Sequence, residues 1–215
     1  MPVTTSPATV VVCAAWPRSG VSATPTATPV TWVVDLDSLA SHPRPAAAAL
    51  ALAIDPAWLE SRQTLRRALV QARHLVPDLE AAVLRGGPLA HHAVLAEEGI
   101  RIVAVDAFAD VGRGSRRPAP TGWPCRNVAW GLWEVRFCPP RRSTAWSWLP
   151  GLPAPRRGGL AVADAEGAAR LQRLLDWTRR GVAGGRATAV TLAGLPAILE
   201  GRRSAPLSAS VLKAA

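Results

Sequence analysis

The chain has 215 residues, of which 49% are hydrophobic, and carries a formal net charge of +10. That length suits one domain, and that hydrophobic content fills a core, which excludes a disordered chain. Of the 25 basic residues 24 are Arg, a bias so general that Arg number alone says little about anion binding.

Residues 1–8 read as a loop-like start, followed by the first β-branched run, Thr9–Ala14. Pro, Ser and Thr dominate 17–29, which reads as a loop. Further strands are expected at Val30–Asp35, Leu50–Asp55, Leu79–Arg85, Ile100–Asp106, Val128–Phe137, Gly159–Asp164 and Ala187–Thr191. Each is short with little polar alternation, as strands covered on both faces require. Asp55 as N-cap and Pro56 at the first helical position predict a helix over Pro56–Leu75. Further helices are expected at Pro88–Glu98, closed by Gly99, at Glu166–Arg180, stopped by Gly181, and at Gly194–Glu200. Residues 111–127 and 138–158 are rich in Pro, Gly and Arg, and 201–215 read as a loose tail.

This alternation predicts a single α/β domain over 1–215 with an Arg/Trp-rich insertion at 111–158. The expected architecture is a distorted, compact (β/α) barrel of seven to eight mostly parallel strands, with an open doubly wound sheet as runner-up. No apolar run approaches the roughly 20 residues that span a bilayer. The N-terminal apolar patch has no Lys or Arg ahead of it, unlike a secretory signal. Cys13, Cys125 and Cys138 are odd in number and widely spaced, which fits neither a disulfide framework nor a zinc site. A cytoplasmic protein is therefore expected.

Chemistry in parallel β/α folds collects at the carboxyl ends of the strands. Those ends carry Asp35, Asp55, Arg85, Asp106 and Asp164, a set able to hold a polyhydroxylated ligand or a divalent metal. A carboxylate after a strand also serves as a helix N-cap, the simpler account of Asp55. His91 and His92 are adjacent and, on a helix, point about 100° apart, so they do not form a metal pair.

Between Val111 and Ala163 nine Arg face one acid, Glu134, so this segment holds +8 of the net charge and five of the nine Trp. Trp130, Trp133, Glu134, Arg136, Arg116 and Arg117 are its candidate ligand contacts. Trp stacks on sugars or bases, and Arg pairs with carboxylate, sulfate or phosphate. Nucleic-acid binding through this segment is a further reading, although no recognised motif accompanies it and its Arg pairs lie on separate loops.

Three stretches together resemble the polysaccharide deacetylase superfamily. TPVTWVVDLDSLASHP is similar to that family's KATFFV-type second strand and the turn after it. PDLEAAVLRGGPLAHHAVLAEEGIRIVAVDAFAD is similar to its FRPPYG segment, helix and VVLWDVD strand. RRGGLAVADAEGAARLQRLLDWTRRGVAGGRATAVTLAGLPAIL is similar to its closing LLHD-like strand, helix and final strand. The resemblance covers most of 28–199 and implies a metal-dependent carbohydrate esterase barrel. It also implies that the catalytic set is gone. Ala14 and Ala15 stand about where a TFDDGP motif supplies its carboxylates. IDPAWLESRQ has no HxxxH, and the histidine of the closing HD pair is replaced by Ala163, although Asp164 remains. Arg85 matches the arginine of RPPYG, without the tyrosine. A metal-activated water needs both its ligands and a base, so the expectation is a catalytically inactive relative that binds a carbohydrate or anionic ligand without a cofactor. The alternative is a metal-dependent deacetylase with a site rebuilt from the aspartates.

Overall fold

The computed structural model describes residues 9–16, 28–42, 48–86, 88–105, 125–127, 131–137 and 160–203, with 9, 48, 125–127, 161, 164, 166, 202 and 203 described by their backbone alone. The strands are β1 Thr9–Trp16, β2 Val30–Val34, β3 Ala48–Ile54, β4 Ala81–Leu84, β5 Ile102–Val105, β6 Cys125–Asn127, β7 Trp133–Arg136, β8 Leu160–Glu166 and β9 Ala187–Val190. They form one sheet in the order β6-β7-β5-β4-β3-β2-β1-β8, with β9 also paired to β1. Seven parallel strands, from β8 through β1 to β7, make a nearly closed barrel wall. The short β6 pairs antiparallel to β7, in residues the sequence reads as loop.

The first strand has an unusual edge. β8 runs along β1 from Val10 to Trp16 and so occupies one side of it. The other side is divided between β9, paired with Thr9–Val12, and β2, paired with Ala14 and Ala15. At their amino ends β1 and β2 are therefore separated by β9.

Alternate strand positions feed two cores, as the period of two demands. Val11, Cys13, Ala15, Trp32, Leu52, Leu84 and Val103 face outward and pack with Leu65, Leu69, Val94, Leu95, Leu171 and Leu175. Those partners come from α1 (Arg62–Leu75), α2 (His92–Glu97) and α3 (Ala168–Ala183). Val10, Val12, Ala14, Val33, Ala51, Val83, Ala104, Trp133, Val135 and Val162 face the interior. Small and β-branched side chains dominate there because the concave side leaves little room. Leu192 and α4 (Leu195–Arg203) fill its amino-terminal end through Leu195, Ile198 and Leu199. The Leu192 N–H donates to the buried Thr31 Oγ1 at 2.7 Å. At the far end of α4, Glu200 lies 3.4 Å from Arg101, which directly precedes β5. The last helix thus crosses the bottom of the barrel.

Several boundaries differ from the sequence reading: the helix expected at Pro88–Glu98 is α2 from His92, and the strand expected over Val128–Phe137 is β7 from Trp133. The helix expected over Pro56–Leu75 is broken: Pro56–Glu60 is a 3-10 helix, and Ser61 is extended. Ser61 then caps α1 by accepting from the Gln63 N–H at 3.2 Å. The helix expected from Glu166 starts at Ala168, because β8 runs on to Glu166 and Gly167 turns the chain at φ 85°. Nor does Gly181 stop that helix, which continues to Ala183. A Cβ on Gly181 would lie 3.0 Å from the Ala187 Cβ, so glycine there permits close approach of α3 to β9.

Candidate functional site

The carboxyl rim of the barrel is built by the parity of its strands. Val10, Val12 and Ala14 face the interior, and the next residue in that series is Trp16, packed against the same core. On β4, Ala81 and Val83 lead in the same way to Arg85. Thr31 and Val33 lead to Asp35, and Ala51 and Ala53 lead to Asp55.

Trp16 and Arg85 meet. The Arg85 Cζ lies over the indole, 4.0 Å from its centroid, although β2 and β3 stand between their strands. Three strand spacings amount to roughly 14 Å on a flat sheet, where side chains stand perpendicular to the surface. The contact therefore spans the mouth of the curved sheet. The Trp16 Nε1–H is buried without an acceptor, which leaves an unsatisfied donor beside the mouth. The sequence reading passes over Trp16. Counting by twos along β1 would have found it.

Asp35 is exposed and extended (φ −69°, ψ 154°) ahead of a 3-10 turn, Leu36–Ser38, and its side chain makes no cap bond. Asp55 is occupied otherwise: its Oδ1 accepts from the Ala57 N–H at 2.9 Å, capping the Pro56–Glu60 turn. Asp164 is in register with Ala14. Asp106, Trp130, Arg116 and Arg117 lie outside the described residues. Among the described residues no three His, Cys, Asp or Glu gather as a metal-holding group.

The described part of the Arg/Trp segment does not join this rim. Trp133 is 6% exposed in the interior core, and its Nε1–H is also without an acceptor. Glu134 and Arg136 take the opposite face of β7 and pair with each other at 3.8 Å. Glu134 is buried there, in register with Val103 of β5 and Arg126 of β6.

The histidines divide. His91 is not a helical residue: it precedes α2 in the left-handed region (φ 57°), and its Nε2 lies 3.1 Å from the Leu59 carbonyl oxygen. His42 follows the turn after Asp35 and packs obliquely on Trp32, ring centroids 5.7 Å apart. Burial lowers its pKa below the ordinary 6.5, because the charged ring is poorly solvated there.

The arrangement offers an indole face at the centre of the mouth, a guanidinium resting on it and an exposed carboxylate at the same rim. Such groups stack on a sugar ring and hydrogen-bond its hydroxyls. No described helix is long and apolar enough to cross a membrane. No protein-family model, curated protein or solved structure matches the chain.

Proposed function

We propose that this chain is a catalytically inactive, polysaccharide-deacetylase-like protein that binds a carbohydrate at the carboxyl rim of its barrel. The observation that carries the reading is Trp16, an aromatic face at the mouth, with the exposed carboxylate of Asp35 following the neighbouring strand. Ala14, Ala15 and Ala163 at the family's catalytic positions support inactivity, as does Asp55, whose carboxylate caps a turn. Sugar recognition needs no catalytic water. It needs an aromatic platform and a few polar groups on a rigid frame.

The test pairs binding with turnover. The full chain is screened on immobilised chitooligosaccharides and peptidoglycan fragments, and assayed for acetate release with added Zn²⁺ or Co²⁺. Saturable binding is expected, lost in Trp16→Leu and weakened about ten-fold in Asp35→Asn, with no metal-dependent acetate release. Metal-dependent turnover abolished by Asp164→Ala would establish the rebuilt-site hydrolase instead.

A further inference from the structure

We propose that the outer face of α1 is a docking groove for an acidic amphipathic helix of a partner protein. The proposal stands apart from the carbohydrate reading, because α1 lies outside the barrel wall. The helix buries Leu65, Leu69 and Ala72 against that wall. Its outward side carries a furrow of about 370 Å³ lined by Arg66, Arg67, Val70, Gln71, His74 and Leu75. These six residues are two adjacent rows of i, i+4 neighbours, Arg66–Val70–His74 and Arg67–Gln71–Leu75. The furrow between two such rows is what a second helix fills when its own i, i+4 ridge interdigitates. At 1.5 Å per residue, the rows extend about 14 Å along the axis, two and a half turns.

The lining sets the occupant's chemistry. Val70 and Leu75 are 39% and 38% exposed, two of the three exposed large hydrophobic side chains among the described residues. Apolar side chains scattered singly on a surface need no explanation, whereas two in one furrow mark a place where another surface packs. The flanks are cationic. α1 reads RQTLRRALVQARHL, with four Arg, one His and no acid, where a solvated helix commonly sets opposite charges at i, i+4. Arg66 is shared with the end of α2, pairing with Glu97 and lying 3.1 Å from Glu98. Arg67 and His74 are exposed at opposite ends of the furrow.

An apolar ridge flanked by carboxylates satisfies both features at once. A nucleic acid would meet the arginines and gain nothing from Val70 and Leu75. A second copy of this chain has the wrong sign: α1, α3 and α4 are each net basic, and the whole chain stands at +10.

The experiment pans a displayed library of single helices against the full chain. Each helix carries Leu along one i, i+4 ridge, with its flanking positions varied among Glu, Gln and Lys. Counter-selection on Val70→Asp removes helices that bind elsewhere. Glu-flanked sequences are expected to dominate. The best of them, as a free peptide, should bind at least about ten-fold tighter than its Gln-flanked twin. Val70→Asp and Arg67→Glu should each weaken that peptide about ten-fold, and Arg67→Gln less. Urea unfolding of all three variants should match the wild type, since both positions are exposed.

Recovery of Gln- or Lys-flanked helices, or no enrichment over the counter-selection, overturns the inference. A short DNA duplex that displaces the peptide and binds Val70→Asp as well as the wild type would make the face a polyanion site instead. A dimer of the chain that sedimentation detects and Val70→Asp splits would make it a self-interface.

Discussion

Cys13 sits midway along β1 on its helix-facing side, fully buried, with Sγ 3.4 Å from Thr178 Oγ1. The Thr178 hydroxyl also donates to the Leu174 carbonyl at 2.9 Å and can swing to donate to the sulfur when the thiol ionises. Burial pushes the thiol up from 9.0 to about 11, opposed by the Thr178 hydrogen bond. The folded state therefore keeps a proton that the unfolded chain gives up from pH 9. Stability is full below that point and falls as pH rises towards 11, by a few kcal/mol. The chain has no Tyr and one Lys, and comparison with Cys13→Ala separates Cys13 from Cys125 and Cys138. Urea unfolding at pH 8 and pH 10.5 should show a steeper loss for the wild type than for Cys13→Ala, and equal losses would refute the buried thiol. Residues with a local grammar were legible without the structure: Asp55 before Pro56 announced a cap, and it is one. Trp16 was not, because its role depends on a side chain three strands away.

Elements follow the same division. The eight strands expected from apolar runs are all present, since a buried parallel strand has a signature within itself. Edges and plugs have none. Nothing local to Ala187–Val190 says that it shares one edge of β1 with β2, and nothing in Leu195–Arg203 says that it crosses the barrel floor. A long-range hydrogen bond ties the turn between the two to β2, that from the Leu192 N–H to Thr31 Oγ1. Thr31→Val preserves shape but strands a buried donor, at a cost of about 1–3 kcal/mol. Thr31→Ser keeps the acceptor and should lose less. Denaturant unfolding of the three proteins checks this ordering, and a neutral Val variant would mean that the Thr31 hydrogen bond does not help to hold the last helix.

At the scale of the molecule, the barrel is an open seam drawn nearly shut, with β6 and β8 at the two ends of the described sheet. Parallel pairing was foreseeable from the strand–helix alternation, but curvature was not, because it arises from the summed twist and packing of all the strands. The charge segregates in the sequence: +8 lies in 111–163, and of its described residues Trp133, Glu134 and Arg136 are apart from the rim. The rim pair reports directly on curvature, since Trp16 and Arg85 touch only if the carboxyl ends of β1 and β4 are turned towards each other. Removing either side chain alters its own hydration and packing, so a single variant says little about the contact. A double-mutant cycle isolates it. Trp16→Leu, Arg85→Ala and the double variant, unfolded in urea beside the wild type, should give a coupling of about 0.5–1 kcal/mol, as for a partly exposed cation–π pair. The coupling should fall only in part at 0.5 M NaCl, where the screening length of about 4 Å is close to the contact distance. Additivity of the two substitutions would mean that the mouth stands open in solution, and the indole would then be bare to any ligand without Arg85 having to move.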